Sequence, residues 1–391
     1  MGMKKLLFIG FLLVLLAAKC QNGVTKNTFN VHKNPIDTIL HRNALKEVYN
    51  SLSNILTSND SIFSIFHIGD SHVEIGQFSG EIKNQLEKKY GKSEEAWMYP
   101  YQFFNKQSQK VFPIDTSGTW KRASIKEPND EKPLGITGLG FYLNSEYGSL
   151  TFTSNNVYKE ISKISLLHYY DGNPLPITVQ KCKIHTQVIS KNTAITEITF
   201  SSIEKEYTLK FTKSEGLLIY AIKLNSHPKR GISYHKFGVA GSTMGQFVNY
   251  TPLFMEQIRA LKPNLLIVSL GTNDSYIDSL NEDKLLKEVR VFTEKLSRYS
   301  SKTAVLFTTA PDTKYDDRRP ERLTEINRII RNIANENQNI ALWDLQHIMG
   351  GDGSVDAWIK KNYMIFDHLH FTTAGYKLQG ELFMEAFEKE K

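Results

Sequence analysis

Hydrophobic positions along the chain follow two rhythms. From Ser61 to Gly69 the run SIFSIFHIG is nearly continuous in apolar character, which predicts a short strand buried on both faces. Gln77 to Tyr90 follows with helical spacing. The same alternation returns after residue 233: strands at Tyr234–Val239, Leu265–Leu270, Ala304–Thr308 and Ile340–Trp343, helices at Met244–Leu261, Asp283–Tyr299 and Pro320–Glu336. A last helix is expected from Thr373 to about Glu388, and a leading one from Pro35 to Leu56. Buried strands alternating with helices predict an α/β fold, a parallel sheet with helices on both faces.

Between residues 111 and 228 the helical rhythm disappears. Short runs rich in Thr, Ile, Val, Tyr and Phe replace it: Leu150–Thr153, Ile161–Tyr170, Ile177–Lys183, Ile195–Phe200, Tyr207–Thr212 and Leu217–Leu224. Turn clusters such as Asp171-Gly172-Asn173-Pro174 separate them. This predicts an antiparallel β-sandwich, residues 111–228, inserted into an α/β domain made of residues 35–110 and 229–391. Such an insertion, entering at neighbouring loop ends, is expected to be separable from its host.

Composition adds limits. At 391 residues the chain is long enough for two domains, and 40% hydrophobic with 23% charged residues is ordinary for globular protein. The net charge of +7 is spread among acidic residues, without the dense basic stripe that nucleic-acid binding needs. At the N-terminus, Lys4 and Lys5 precede an apolar run from Leu6 to Ala18, too short to span a membrane comfortably. Residues 1–20 are therefore read as a signal peptide, and the protein is expected to be exported to the periplasm or cell envelope. Leu16-Ala17-Ala18-Lys19-Cys20 resembles a lipobox but has Lys where a small residue is usual, so simple cleavage and a lipid tether on Cys20 both stay open. Cys182 is the one other cysteine, which excludes a disulfide framework.

Four short segments carry chemistry. Gly69-Asp70-Ser71-His72 lies where the first strand passes into a helix, at the carboxyl edge where parallel sheets bind ligands. A serine there gains backbone N–H donors, but Gly-Asp-Ser is also an ordinary turn and cap sequence. Asp367 and His370 stand three residues apart on a loop before the last helix, the spacing a base and its orienting carboxylate need. That loop also reads as a polar N-cap at Thr372 or Thr373. Gly241 in GVAGSTMG and Asn273 in SLGTNDS each follow a predicted strand. A Gly N–H and an Asn amide are natural oxyanion donors; a tight turn and an Asx turn are their bland readings. No G-x-S-x-G stands at a strand–helix turn. His72-Val73-Glu74 has the H-x-E of zinc deaminases but no P-C-x-x-C follows, and no H-E-x-x-H accompanies His368 and His370.

Taken in order, these four segments resemble the blocks of the SGNH (GDSL-like) hydrolases. The resemblance implies a flavodoxin-like three-layer sandwich and a serine esterase needing no metal or organic cofactor. By it, Ser71 is the nucleophile, His370 the base and Asp367 its partner, with Ser71, Gly241 and Asn273 forming the oxyanion hole. A narrower resemblance, carried by GDSH, the β-rich insert, Tyr234 to Gly241 and IMGGDGSVDAWI, is to bacterial peptidoglycan O-acetylesterases and O-acetyltransferases. It implies an O-acetylated glycan as substrate and glycan binding by the insert. Ala240 departs from it, where many relatives have Asn. An O-acetyltransferase with the same triad and a catalytically inactive glycan-binding envelope protein are the alternatives.

Overall fold

The structure, a computed structural model, describes residues 39–58, 61–93, 96–101, 114–127, 132–155, 160–225, 230–249, 251–300 and 302–389. The export segment expected at residues 1–20, with Cys20, lies outside them. So do the expected domain boundaries near residues 110 and 229.

A 3-10 turn, Arg42–Leu45, opens into α1 (Lys46–Thr57). β1 (Ile62–Gly69), α2 (Ser71–Glu74) and α3 (Gln77–Tyr90) follow. The middle of the chain supplies β2 (Ile114–Ser117), β3 (Trp120–Ser124), β4 (Leu139–Leu143), β5 (Tyr147–Thr153), β6 (Lys163–Tyr169), β7 (Ile177–Thr178), β8 (Cys182–Ser190), β9 (Thr193–Phe200), β10 (Glu206–Thr212) and β11 (Ile219–Asn225). The α/β rhythm resumes with β12 (Gly231–Gly238), α4 (Met244–Asn249), α5 (Thr251–Leu261), β13 (Leu265–Ser269), α6 (Glu282–Tyr299), β14 (Ala304–Thr308), α7 (Leu323–Glu336) and β15 (Ile340–Trp343). Short helices α8 (Leu345–Met349) and α9 (Val355–Lys360) precede α10 (Thr373–Glu388).

β1 and β12 to β15 form one parallel sheet in the order β12-β1-β13-β14-β15. Numbered within the α/β part this is 2-1-3-4-5, the flavodoxin-like order. Its switch point, where ligands bind, lies at the carboxyl end of β1 and its neighbours. Alternation along β1 explains the three layers. Phe63, Ile65 and His67 face the side covered by α1, α3 and α10, while Phe66 and Ile68 face the side of α4 to α7. His67 is fully buried but satisfied: Tyr234 Oη lies 2.7 Å from Nδ1 and Ser269 Oγ lies 2.8 Å from Nε2.

The insert is a β-sandwich of two antiparallel sheets, β2-β5-β10-β7 and β3-β4-β11-β6-β9-β8. Leu150, Phe152, Leu209 and Phe211 of the smaller sheet pack against Phe141, Ile164 and Leu166 of the larger. The Trp120 ring meets Phe211 edge-on at 5.4 Å.

Three expectations are corrected. The run Ile177–Lys183 is not one strand: β7 joins β10 in one sheet, Lys181 turns with φ of 51°, and β8 joins β9 in the other. Met244–Leu261 is two helices, and Pro252, which lacks an N–H, stands in the first turn of the second. The insert is not a separable module either. Its core is continuous with the α4–α5 face of the parallel sheet, and Gln257 on α5, fully buried, accepts Ile136 N–H at 2.8 Å. Excising the insert would expose that apolar surface and strand a buried amide.

Candidate active site

β1 stops at Gly69 because the chain must turn tightly there. A Cβ at 69 would stand 2.3 Å from Val73 Cγ2 and 2.7 Å from the Ser269 carbonyl oxygen. Asp70 then caps α2, its Oδ1 accepting His72 N–H at 2.9 Å, and Ser71 occupies the first helical position. Across the edge, the loop before α10 is shaped by Asp367. Its Oδ1 accepts the Leu369 and His370 N–H groups at 2.9 Å each, and its Oδ2 takes His370 Nδ1 at 2.7 Å. His370 Nε2 lies 2.9 Å from Ser71 Oγ. The structure thus brings Ser71, His370 and Asp367 into one hydrogen-bonded chain.

The electrostatics suit proton transfer along that chain. Burial pushes the Asp367 carboxyl up, but the bond to His370, its charge and the two backbone donors together hold it below the usual range. It is therefore ionised at neutral pH and fixes the proton on His370 Nδ1, which leaves Nε2 as the acceptor for Ser71. His72 lies beside this pair, its ring 5.4 Å from that of His370. Burial, with the His370 charge, lowers its pKa to about 3, and Tyr376 Oη lies 2.9 Å from its Nδ1. His72 is a neutral wall of the site.

Gly241 follows β12 and Asn273 follows β13, so both stand at the same edge as Ser71. Gly241 has φ of 74°, a conformation that favours glycine. Among the described residues the backbone N–H groups of Ser71 and Gly241 have no hydrogen-bond acceptor, so two donors are free for a ligand. The Asn273 amide is engaged. Nδ2 donates to the Ser242 carbonyl at 2.9 Å and, more weakly, to Asp70 Oδ2 at 3.3 Å. Asp70 itself is buried, which raises its carboxyl to about 7 against the pull of the His72 N–H.

Sequence reasoning missed three residues around this edge. Glu74 Oε2 accepts Ala240 N–H at 2.6 Å and so ties α2 to the Gly241 loop. Asp274 accepts Met244 N–H at 2.9 Å and fastens α4. Lys126, from the insert, lies over Gly241. Glu74 belonged to a motif weighed for zinc, and nothing in the spacing of the other two marks them, because their partners are far away in sequence.

The geometry agrees with what comparison finds. Residues 219–378 match the GDSL-like Lipase/Acylhydrolase family, a span that holds Gly241, Asn273, Asp367 and His370 and begins after Ser71. No curated protein matches the sequence. Among solved structures, a peptidoglycan O-acetylesterase superposes with a TM-score of 0.67 at 20% identity, covering 87% of this chain and 94% of that one. A GDSL-like lipase from Bacteroides thetaiotaomicron is 24% identical over 40% of this chain and 76% of its own, TM-score 0.33. An acetyl xylan esterase is 20% identical over 40% of this chain and 81% of its own, TM-score 0.32. Residues 219–378 thus match a GDSL-like acylhydrolase domain, and the α/β part has the fold that the resemblance to SGNH (GDSL-like) hydrolases implies. With its insert included, the architecture resembles that of the peptidoglycan O-acetylesterase.

Proposed function

We propose that this hydrolase is a serine esterase that removes O-acetyl groups from glycans, with O-acetylated peptidoglycan as the first candidate. The observation that carries the reading is the chain Ser71 Oγ to His370 Nε2 to Asp367, at 2.9 and 2.7 Å, beside two unoccupied backbone donors. Each group has one task. His370 takes the Ser71 proton as Oγ attacks the ester carbonyl, and Asp367 stabilises the imidazolium. The Ser71 and Gly241 N–H groups and the Asn273 amide receive the oxyanion. His370 returns the proton to the sugar oxygen, which leaves. Water, activated by the same histidine, then releases acetate from Ser71. Every step uses side chains and backbone of this chain. Export through the segment Lys4–Ala18 would place the enzyme beside its polymer.

The test is Ser71→Ala. Acetate release from O-acetylated peptidoglycan and from p-nitrophenyl acetate should both fall to background, with the melting temperature retained, because this half-buried Ser packs little. Wild-type turnover in the variant would overturn the assignment. Stoichiometric acetyl capture by a glycan acceptor, in place of free acetate, would identify a transferase instead.

A further inference from the structure

One cation of the insert, Lys126, stands at the acyl site, and a second, Arg122, lies on the strand that leads to it. The turn after β3 is pinned by Ile125 N–H donating to the Gly138 carbonyl at 3.0 Å and Glu127 N–H to the Ser124 carbonyl at 2.9 Å. Gly138 has φ of 62°, and a Cβ on it would lie 3.0 Å from atoms of Ile125, Phe247 and Val239 alike. The turn is therefore seated tightly on the hydrolase sheet, against the loop that holds Gly241. Lys126, on this turn, comes so near that a Cβ at Gly241 would stand 2.6 Å from its Nζ and 3.3 Å from its Cε. The glycine at 241 thus does more than permit a positive φ. It leaves room for a cation delivered by the other domain.

Arg122, exposed on β3, joins Lys126 in acting on Glu74, on the same short helix as Ser71. Glu74 already accepts Ala240 N–H, and Lys236, nearer still, donates to the Glu74 carbonyl at 2.7 Å. Neither Lys126 nor Arg122 has an ion-pair partner among the described residues. Beyond their shared pull on Glu74, these two cations beside a site that handles a neutral ester have no task in the acyl chemistry described above. Their charge is available to the rest of the substrate. An Arg fork and a Lys point charge that act on one region suit a carboxylate. The carboxylate must sit on the acetylated sugar or its neighbour, because Lys126 lies on the oxyanion glycine itself. Uronic acids, and lactyl-ether sugars whose lactyl carboxylate is not joined to a peptide, have that chemistry; acetylated neutral polysaccharides lack it.

We infer that Lys126 and Arg122 form a carboxylate subsite beside the acyl pocket, so that the enzyme selects O-acetylated glycans carrying free carboxylates. The inference rests on the glycan-esterase reading. It is tested with one O-acetylated acidic glycan offered in two forms, with its carboxylates free and with them converted to amides. Acetate release by the wild type should favour the free form by about 10–100-fold in kcat/KM, the size of one or two charge-assisted hydrogen bonds. The preference should shrink as salt rises. In the double variant Lys126→Gln, Arg122→Gln it should fall to about 1–3-fold, and Arg122→Gln alone, on the exposed strand, should give part of the effect without risk to the fold. A wild type indifferent to amidation overturns the subsite, and so does a preference that survives in the double variant. Equal losses on both glycans and on p-nitrophenyl acetate would place Lys126 on the oxyanion, which also overturns it. A wild type that cleaves p-nitrophenyl acetate but neither glycan would sink the glycan reading beneath it.

Discussion

Replacing Asp367 by Asn tests the site with little disturbance to the fold. Two bonds to Oδ1, from the Leu369 and His370 N–H groups at 2.9 Å, shape the loop, and an Asn carbonyl oxygen can accept both. What changes is the partner of His370 Nδ1, now 2.7 Å from a carboxylate oxygen. An NH2 group in that place donates, so the imidazole proton moves to Nε2. Nε2 then donates to Ser71 Oγ across the 2.9 Å contact where it should accept. The imidazolium also loses its anion. A wrong tautomer of this kind lowers kcat by about 10⁴ in a related triad, equivalent to about 5.5 kcal/mol of barrier. Because Asp367 is held below the ordinary carboxylate range, it is ionised throughout the pH range 5 to 8 in which such enzymes are assayed, and the loss should be present across that range. The assay is the kcat for p-nitrophenyl acetate beside a thermal melt of the same sample. A folded variant with more than a tenth of wild-type kcat would refute the proton path through His370 Nδ1. Asp367→Ala is a poorer probe, since it removes the loop's two acceptors along with the charge.

Two further outcomes follow from the same geometry. Asn273→Ala should lower kcat by about 10²–10³ with a smaller change in KM, since its amide acts on developing charge; a change confined to KM would place Asn273 in ground-state binding instead. Stability should fall on acidification, because burial holds His67, His72 and His235 at about 3 and His168 at about 4, whereas the unfolded chain protonates them below about 6.5. Asp70, raised by burial to about 7, and Asp274, to about 6, oppose this by taking up protons in the fold. The four histidines outweigh the two aspartates, so stability should fall as the pH drops through about 6.5; a melting temperature that rises from pH 7 to pH 5 would contradict it.

Local patterns carried the α/β part because each strand there is buried on both faces and each helix presents one apolar stripe. Ala304–Thr308 and Ile340–Trp343 match the observed strands end for end, and Gln77–Tyr90 the observed helix. Three of the four chemical segments were legible for the same reason, each following a strand whose end is marked by loss of apolar residues; the fourth, Asp367 to His370, was marked by its place before the last helix. What escaped lies where tertiary contact decides. β3 reads Trp-Lys-Arg-Ala-Ser and has little apolar alternation, so only its pairing with β4 makes it a strand. α8 and α9, of five and six residues, are too short to show a period. The turn at Lys181 carries no Gly, Pro, Asn or Asp, although its φ is positive. Lys126 had no signal, being a surface-type residue on a β-rich segment until the fold sets it on Gly241.

The position of the insert follows from the strand order. It leaves the α/β domain after α3 and returns at the start of β12, which is the end of that strand remote from Ser71. An insert held only at that end would hang away from the site. The segment after α3 prevents this by climbing along β12. Lys92 bridges Ile232, Trp97 N–H donates to His235 Nδ1 at 2.7 Å, and Tyr101 Oη donates to the Gly238 carbonyl at 2.8 Å. Within ten residues the chain has passed from the amino end of β12 to its carboxyl end, with Lys236 set over the Tyr101 ring at 5.4 Å. Met98 meanwhile exchanges backbone hydrogen bonds with Ile222 of β11, at 2.8 and 2.9 Å, so the climbing segment also holds the larger sheet of the insert. Edge strand, climbing segment and insert sheet are thus joined by buried hydrogen bonds that cannot be broken cheaply. The turn bearing Lys126 is carried to the catalytic edge and fixed there. On the proposed esterase reading, a substrate that reaches Ser71 meets both domains, with the turn bearing Lys126 as one wall of the site.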